Sequence, residues 1–164
     1  VKNYQAMRQM NRMFKNFKYL YKRQDIDILE WHFTFFMDSK NHNLQMTLVF
    51  NEKWCDVLCF ISPTIQIPLE KNYWETLKIL NYINYYIKSW GRFYIDPYGD
   101  LAYSLRLDYN VLEKIPDECI QEIECAVDYY SDLFVLLLKT GQGKTLFDDT
   151  KQFIDDMWRP LIGK

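Results

Sequence analysis

The chain has 164 residues, 49% of them apolar and 26% charged, with five Gly, five Pro and a formal net charge of −2. That is enough apolar material for one packed core and too little Gly and Pro for long disorder, so a single domain spanning 1–164 is expected. The longest apolar run, Leu133 to Leu138, falls far short of the roughly 18–20 residues that cross a bilayer, and the pattern of a secretory signal is missing; a cytoplasmic protein is expected.

The modest net charge hides an asymmetry. Residues 1–24 carry Lys2, Arg8, Arg12, Lys15, Lys18, Lys22 and Arg23 and no acid, so the rest of the chain carries −9. That balance argues against a nucleic-acid partner. Within the basic segment, residues 3–22 read as an amphipathic helix. Tyr4, Met7, Met10, Phe14, Phe17 and Tyr21 recur at three- and four-residue steps. Its apolar face is either packed on the protein's own sheet or free for a partner, and Met suits a surface that adapts to varied partners. Met7, Met10, Phe14, Phe17 and Tyr21 are the candidate partner-binding residues.

The period then changes to two. Leu29, Trp31, Phe33, Phe35 and Met37 share one face of a strand, and Glu30, His32 and Thr34 the other. A polar turn at 40–43 leads to Leu44, Met46, Leu48 and Phe50, alternating with Gln45, Thr47 and Val49. Residues 54–62 form a third strand, apolar on both sides and therefore expected to be covered on both. The connecting turns are too short for crossovers, so these strands form an antiparallel meander. Asn72 and Glu75 have capping-box spacing ahead of a helix over 73–90, ended by Gly91. Asp96-Pro97-Tyr98-Gly99 is the turn of a hairpin whose second arm alternates from Leu101 to Tyr109. Pro116 and Asp117 open a long helix running to about Lys139, and a last helix runs near 146–158.

The segment Thr140-Gly-Gln-Gly-Lys-Thr145 raises the prospect of a phosphate-binding loop. Such a loop needs a Gly five residues before Gly143, and Leu138 stands there; it also needs a preceding strand, and a helix stands there. The segment instead reads as punctuation: Gly141 or Gly143 ends one helix and Thr145 caps the next, with Asp148 in its first turn. Other chemistry is thin. His32 and His42 lack companions at ligand spacing. Cys55, Cys59, Cys119 and Cys125 lack the paired spacing of a zinc site and read as small buried hydrophobes in a reducing compartment. The pairs Asp148/Asp149 and Asp155/Asp156 read as a solvated helix face. No catalytic residue, cofactor or metal is expected. Aromatics make up 18% of the chain, too many to bury completely, and Tyr82, Tyr85, Tyr86, Tyr98 and Tyr129 are candidates for exposure.

The order helix, three strands, helix, two strands, helix is that of the type III secretion chaperone-like fold. Within it, residues 81–101 resemble the core of the YbjN-like family of bacterial proteins. The shared features are Asn residues three apart in a helix, a Gly-x-Phe/Tyr strand, and an Asp-x-x-Gly hairpin turn before an alternating strand. Asn81, Asn84, Gly91, Phe93, Tyr94, Asp96 and Gly99 fill those places. The segment from Phe134 to Asp149 is similar to the family's apolar helix end, Gly-Lys turn and acidic helix start. The resemblance implies an α+β fold and a bacterial regulator or chaperone-like protein without catalytic activity, held as a homodimer or bound to a protein partner. It implies structural roles for the two Asn residues, at the junction of helix and hairpin. The expected function is therefore a non-enzymatic protein-binding module. The alternatives are a nucleotide- or small-ligand-binding protein using Lys144-Thr145, and a binder of anionic surfaces through the basic first helix.

Overall fold

The computed structural model describes residues 2–16, 21–25, 31–40, 42–62, 66–68 and 70–162. The fold is α+β. In chain order the elements are α1 (Lys2–Asn16), β1 (Tyr21–Asp25), β2 (Trp31–Asp38), β3 (Asn43–Phe50), β4 (Cys55–Ser62), α2 (Tyr73–Tyr86), β5 (Arg92–Ile95), β6 (Leu101–Leu107), α3 (Tyr109–Lys114), α4 (Pro116–Tyr130), α5 (Asp132–Gly141) and α6 (Phe147–Ile162). The strands form one antiparallel sheet in the order β1-β2-β3-β4-β6-β5.

Alternation along the strands becomes two unlike faces. Phe33, Phe35 and Met37 of β2 pair in register with Leu48, Met46 and Leu44 of β3, and these with Val57, Cys59 and Ile61 of β4. All are buried, in one cluster with Ile79 and Ile83 of α2, Ile123 and Val127 of α4, and Phe134 and Leu137 of α5. The helices therefore cover this face. Both ends of the meander are tied to that layer. Ser39 Oγ and Lys40 N–H, in the β2–β3 turn, donate to the Asp128 carboxylate of α4 at 2.7 and 2.8 Å. The buried Tyr109 hydroxyl reaches the carbonyls of Asn51 and Trp54 in the β3–β4 turn, the second at 2.6 Å.

Several boundaries differ from expectation, each for a tertiary reason. Among the described residues the first helix spans Lys2–Asn16, and Tyr21–Asp25, expected in part to belong to it, pairs with β2, so the meander has four strands instead of three. YKRQD has no apolar alternation, and it is strand because β2 offers it a free edge. α2 ends at Tyr86, where Ile87 turns extended (φ −60°, ψ 132°), four residues before Gly91. The long helix over 117–139 breaks at Ser131, whose hydroxyl bonds back to the Asp128 carbonyl at 2.9 Å, an alternative to continued helix bonding. The expected end of the second hairpin arm, Tyr109, instead begins α3, capped by Asp108 accepting from Asn110 N–H at 2.7 Å. The capping box at Asn72 does not form: Asn72 makes no side-chain cap, and the Glu75 carboxylate accepts from Phe147 N–H of α6 at 3.0 Å.

The hairpin turn is as expected. Gly99 has φ 91° and its N–H bonds Asp96 O, while Asp96 Oδ1 accepts from the N–H groups of Tyr98 and Asp100. β5 is the sheet's last strand, and Asn84 of α2 seals it. Asn84 Oδ1 accepts from Phe93 N–H at 3.0 Å and Asn84 Nδ2 donates to Phe93 O at 2.8 Å, the pair of bonds a further strand would make. Asn84→Ala is expected to leave both backbone groups unsatisfied and cost about 2 kcal/mol. Asn81→Ala, at an exposed position of the same helix, should change stability by less than about 0.5 kcal/mol. Urea midpoints of the two variants check the contrast.

Candidate functional site

The Gly-Lys-Thr turn is a helix terminus. Gly143, at φ 72°, donates its N–H to Thr140 O, and Lys144 N–H reaches back to Lys139 O, both at 2.9 Å; Gln142 N–H bonds Leu138 O. This is the paired-bond ending that a left-handed Gly makes. A phosphate cradle needs several amides aimed outward together, and these three already serve α5. Thr145 does not lie at the helix start, since α6 begins at Phe147. Its hydroxyl lies 3.1 Å from that of Thr140 and 3.3 Å from that of Thr150.

The proposed helix-one surface is largely core. Met7 and Met10 are 4% and 0% exposed, and α1 packs on α3 and α4. The adaptable side chains expected to meet a partner meet the protein's own helices. Tyr21 belongs to β1, opposite Phe35, rather than to that helix face. Phe17 lies outside the described residues, as does the side chain of Phe14. Arg8 and Arg12 are exposed on the helix's other side.

Thiol, imidazole and carboxylate chemistry is muted. Cys55, Cys59 and Cys119 are buried, and burial pushes the Cys59 thiol up to about 12 and the Cys119 thiol to about 11. Cys125, expected to be buried, is exposed, yet desolvation and then Glu124 raise its thiol too. None is poised as a thiolate nucleophile. His42, expected in a solvated turn, stands 5.9 Å from the Phe134 ring, with Nε2 buried and unpartnered. Among the described residues no cluster of three His, Cys, Asp or Glu side chains could hold a metal. Asp155 departs from the expected solvated face and is buried between α6 and α2.

The surface that stands out is the sheet's second face. Three rows cross it in register. Thr34, Thr47, Leu58, Ser104 and Arg92 make the central row, with the Thr34 and Thr47 hydroxyls 3.1 Å apart. To one side lie His32, Val49, Asp56 and Arg106. Arg106 bonds Asp56 through Nε at 2.7 Å and stacks 3.9 Å over the Trp54 ring, whose Nε1 donates to the same carboxylate. To the other side lie Phe36, Gln45, Phe60, Ala102 and Tyr94. Phe36 is 59% exposed; Val49, Leu58, Phe60 and Tyr94 are half-exposed. Asp56 and Arg106 are matched to each other, as are the two Thr hydroxyls. Between these polar groups the apolar side chains Phe36, Leu58, Phe60 and Tyr94 form a patch.

Sequence reasoning missed this face. β4 is apolar on both sides, but Leu58 and Phe60 are left partly exposed rather than doubly packed. The usable signal was Phe36, the aromatic on the polar side of β2. Among the tyrosines expected at the surface, Tyr85, Tyr98 and Tyr129 are exposed, whereas Tyr82 and Tyr86 are half-buried against Asp155.

The fold and this face define an α+β domain with one sheet face packed under helices and the other, among the described residues, left without a covering helix and partly apolar. No described helix is long and apolar enough to cross a membrane. Comparison with known protein families, curated proteins and solved structures found no match to this chain.

Proposed function

We propose that this domain is a non-enzymatic protein-binding module of the chaperone or adaptor kind, acting in a reducing cytoplasm, with the bare sheet face as its contact surface. The observation that carries the reading is the apolar patch of Phe36, Leu58, Phe60 and Tyr94 on a face that no described helix covers. Apolar and aromatic groups with few unpaired charges are what the core of a protein–protein contact needs. The likeness to the YbjN-like family supports it further. β2–β4, α2 and β5–β6 repeat that fold's order after the first helix. Asn84, Gly91, Phe93, Asp96 and Gly99 also hold the junction of helix and hairpin together, whereas Asn81, expected there as well, is exposed on α2. A bacterial regulator built this way would bind either a second copy or a foreign chain.

The test compares the wild type with Phe36→Lys and Phe60→Lys. A Lys at the exposed Phe36 should shift stability by no more than about 0.5 kcal/mol. In capture from a lysate of the source organism, and in sedimentation of the pure protein, the partners or self-association of the wild type should disappear in both variants. Retention of the same bound proteins by well-folded variants would overturn the reading.

A further inference from the structure

Asp155 is 5% exposed and has no part in the proposed contact surface. A buried carboxylate holds two helices together less firmly than an apolar side chain of its size would, so its presence in a helix seam calls for a reason. Its Oδ1 accepts from the phenols of Tyr82 and Tyr86, the latter at 3.3 Å, and its Oδ2 accepts from Lys151 Nζ at 2.7 Å. Desolvation first, and then the bond to Asp155, hold the Tyr82 phenol well above its ordinary value, so it remains a donor.

The N-terminal end of the same seam is closed by a second carboxylate. Glu75 accepts from Phe147 N–H, the first residue of α6, and pairs with Lys78, whose Nζ lies 5.1 Å from the Phe147 ring centre. The bond to Lys78 first, and then the Phe147 N–H, hold the Glu75 carboxyl below its ordinary 4.5. Among the described side chains of α6 the apolar contact is short. Ile154 is buried, Phe147 and Met157 are half-buried, and beside them lies the Thr140–Thr145–Thr150 hydroxyl cluster. α6 packs mainly on α2, with a smaller contact to α5. The described charged groups of α5, Asp132 and Lys139, are exposed, as are Lys144 and the other acids of α6, Asp148, Asp149 and Asp156.

We propose that α6 is a separately releasable helix, latched to α2 at its first residue by the carboxylate of Glu75 and near its middle by that of Asp155, and that acid frees it while the sheet stays folded. The direction follows from Glu75. A carboxyl whose value is lowered in the folded state contributes fully above 4.5 and loses that contribution as pH falls through the lowered value. Protonating Asp155 removes the ion pair with Lys151 and, because the acid must itself donate, displaces one phenol.

Residue-resolved NMR of the full chain tests this. In the wild type, amides of 147–162 should move to unstructured positions between about pH 5 and 3, before those of β3 and β4. At pH 7, Asp155→Asn should raise amide exchange across α6 by at least about tenfold and leave β3 and β4 unchanged, with Glu75→Gln giving a smaller rise confined to the first turn. Loss of α6 and the sheet together at one pH would overturn the proposal. So would an Asp155→Asn protein that fails to fold at all, or one whose α6 exchanges as in the wild type.

Discussion

Met10→Asn is expected to destabilise the domain by about 4–5 kcal/mol, lowering the melting temperature by roughly 10–15 °C. Met10 is fully buried, in the same cluster as the inner face of the sheet. Truncating a buried Met leaves a cavity worth about 2–5 kcal/mol, and the amide adds polar groups that the surrounding side chains have no means to satisfy. A domain of this size has only about 5–15 kcal/mol in total, so the loss is a large fraction of the whole. The contrast lies within one helix: Arg8→Gln, on the exposed side, should be silent to about 0.5 kcal/mol. Thermal melts followed by circular dichroism check both. A Met10→Asn protein that melts with the wild type would return that stripe to the surface and restore helix one as a partner site.

Gly91→Ala is expected to cost about 3 kcal/mol or more, a fall of about 6–12 °C in melting temperature. Gly91 is needed for closeness, not for its backbone angle. A Cβ there would stand 2.3 Å from the Ser104 carbonyl oxygen and 2.7 Å from the Tyr103 ring. Neither can give way. The first is backbone in β6, and the second is a fully buried ring whose hydroxyl accepts from Gly91 N–H at 2.8 Å. The methyl group must therefore part the start of β5 from β6, and the Asn84 bonds to Phe93 should weaken with it. Calorimetry gives the number, and a melt within about 2 °C of wild type would show that the junction relaxes freely.

The two cases show why local reading reached some features and not others. Gly91 was legible as a special position, but as a helix cap; its actual constraint is a carbonyl and a ring from a strand more than ten residues away, which no local pattern encodes. Met10 was legible as apolar on a helical stripe. Whether the stripe faces a partner or the protein's own α3 and α4 depends on where those helices come to rest. Asp155 resembled its neighbour Asp156 in every local respect; only the arrival of Tyr82 and Tyr86 separates a buried latch from a solvated acid.

What the sequence determined by itself is what arises from bonds and periods within a few residues. The two-residue alternation of β2, β3 and β6, the Asp96–Gly99 turn and the Gly143 helix end all follow from backbone geometry and side-chain spacing. Tertiary structure alone decided the rest. β1 is a strand because β2 leaves an edge unpaired, and Phe36 is exposed and Phe60 partly so because the helices crowd the opposite face. Asn84 acts as a substitute strand because α2 lies beside β5. Burial and long-range pairing are properties of the packed whole, and a residue's neighbours in sequence carry no record of them.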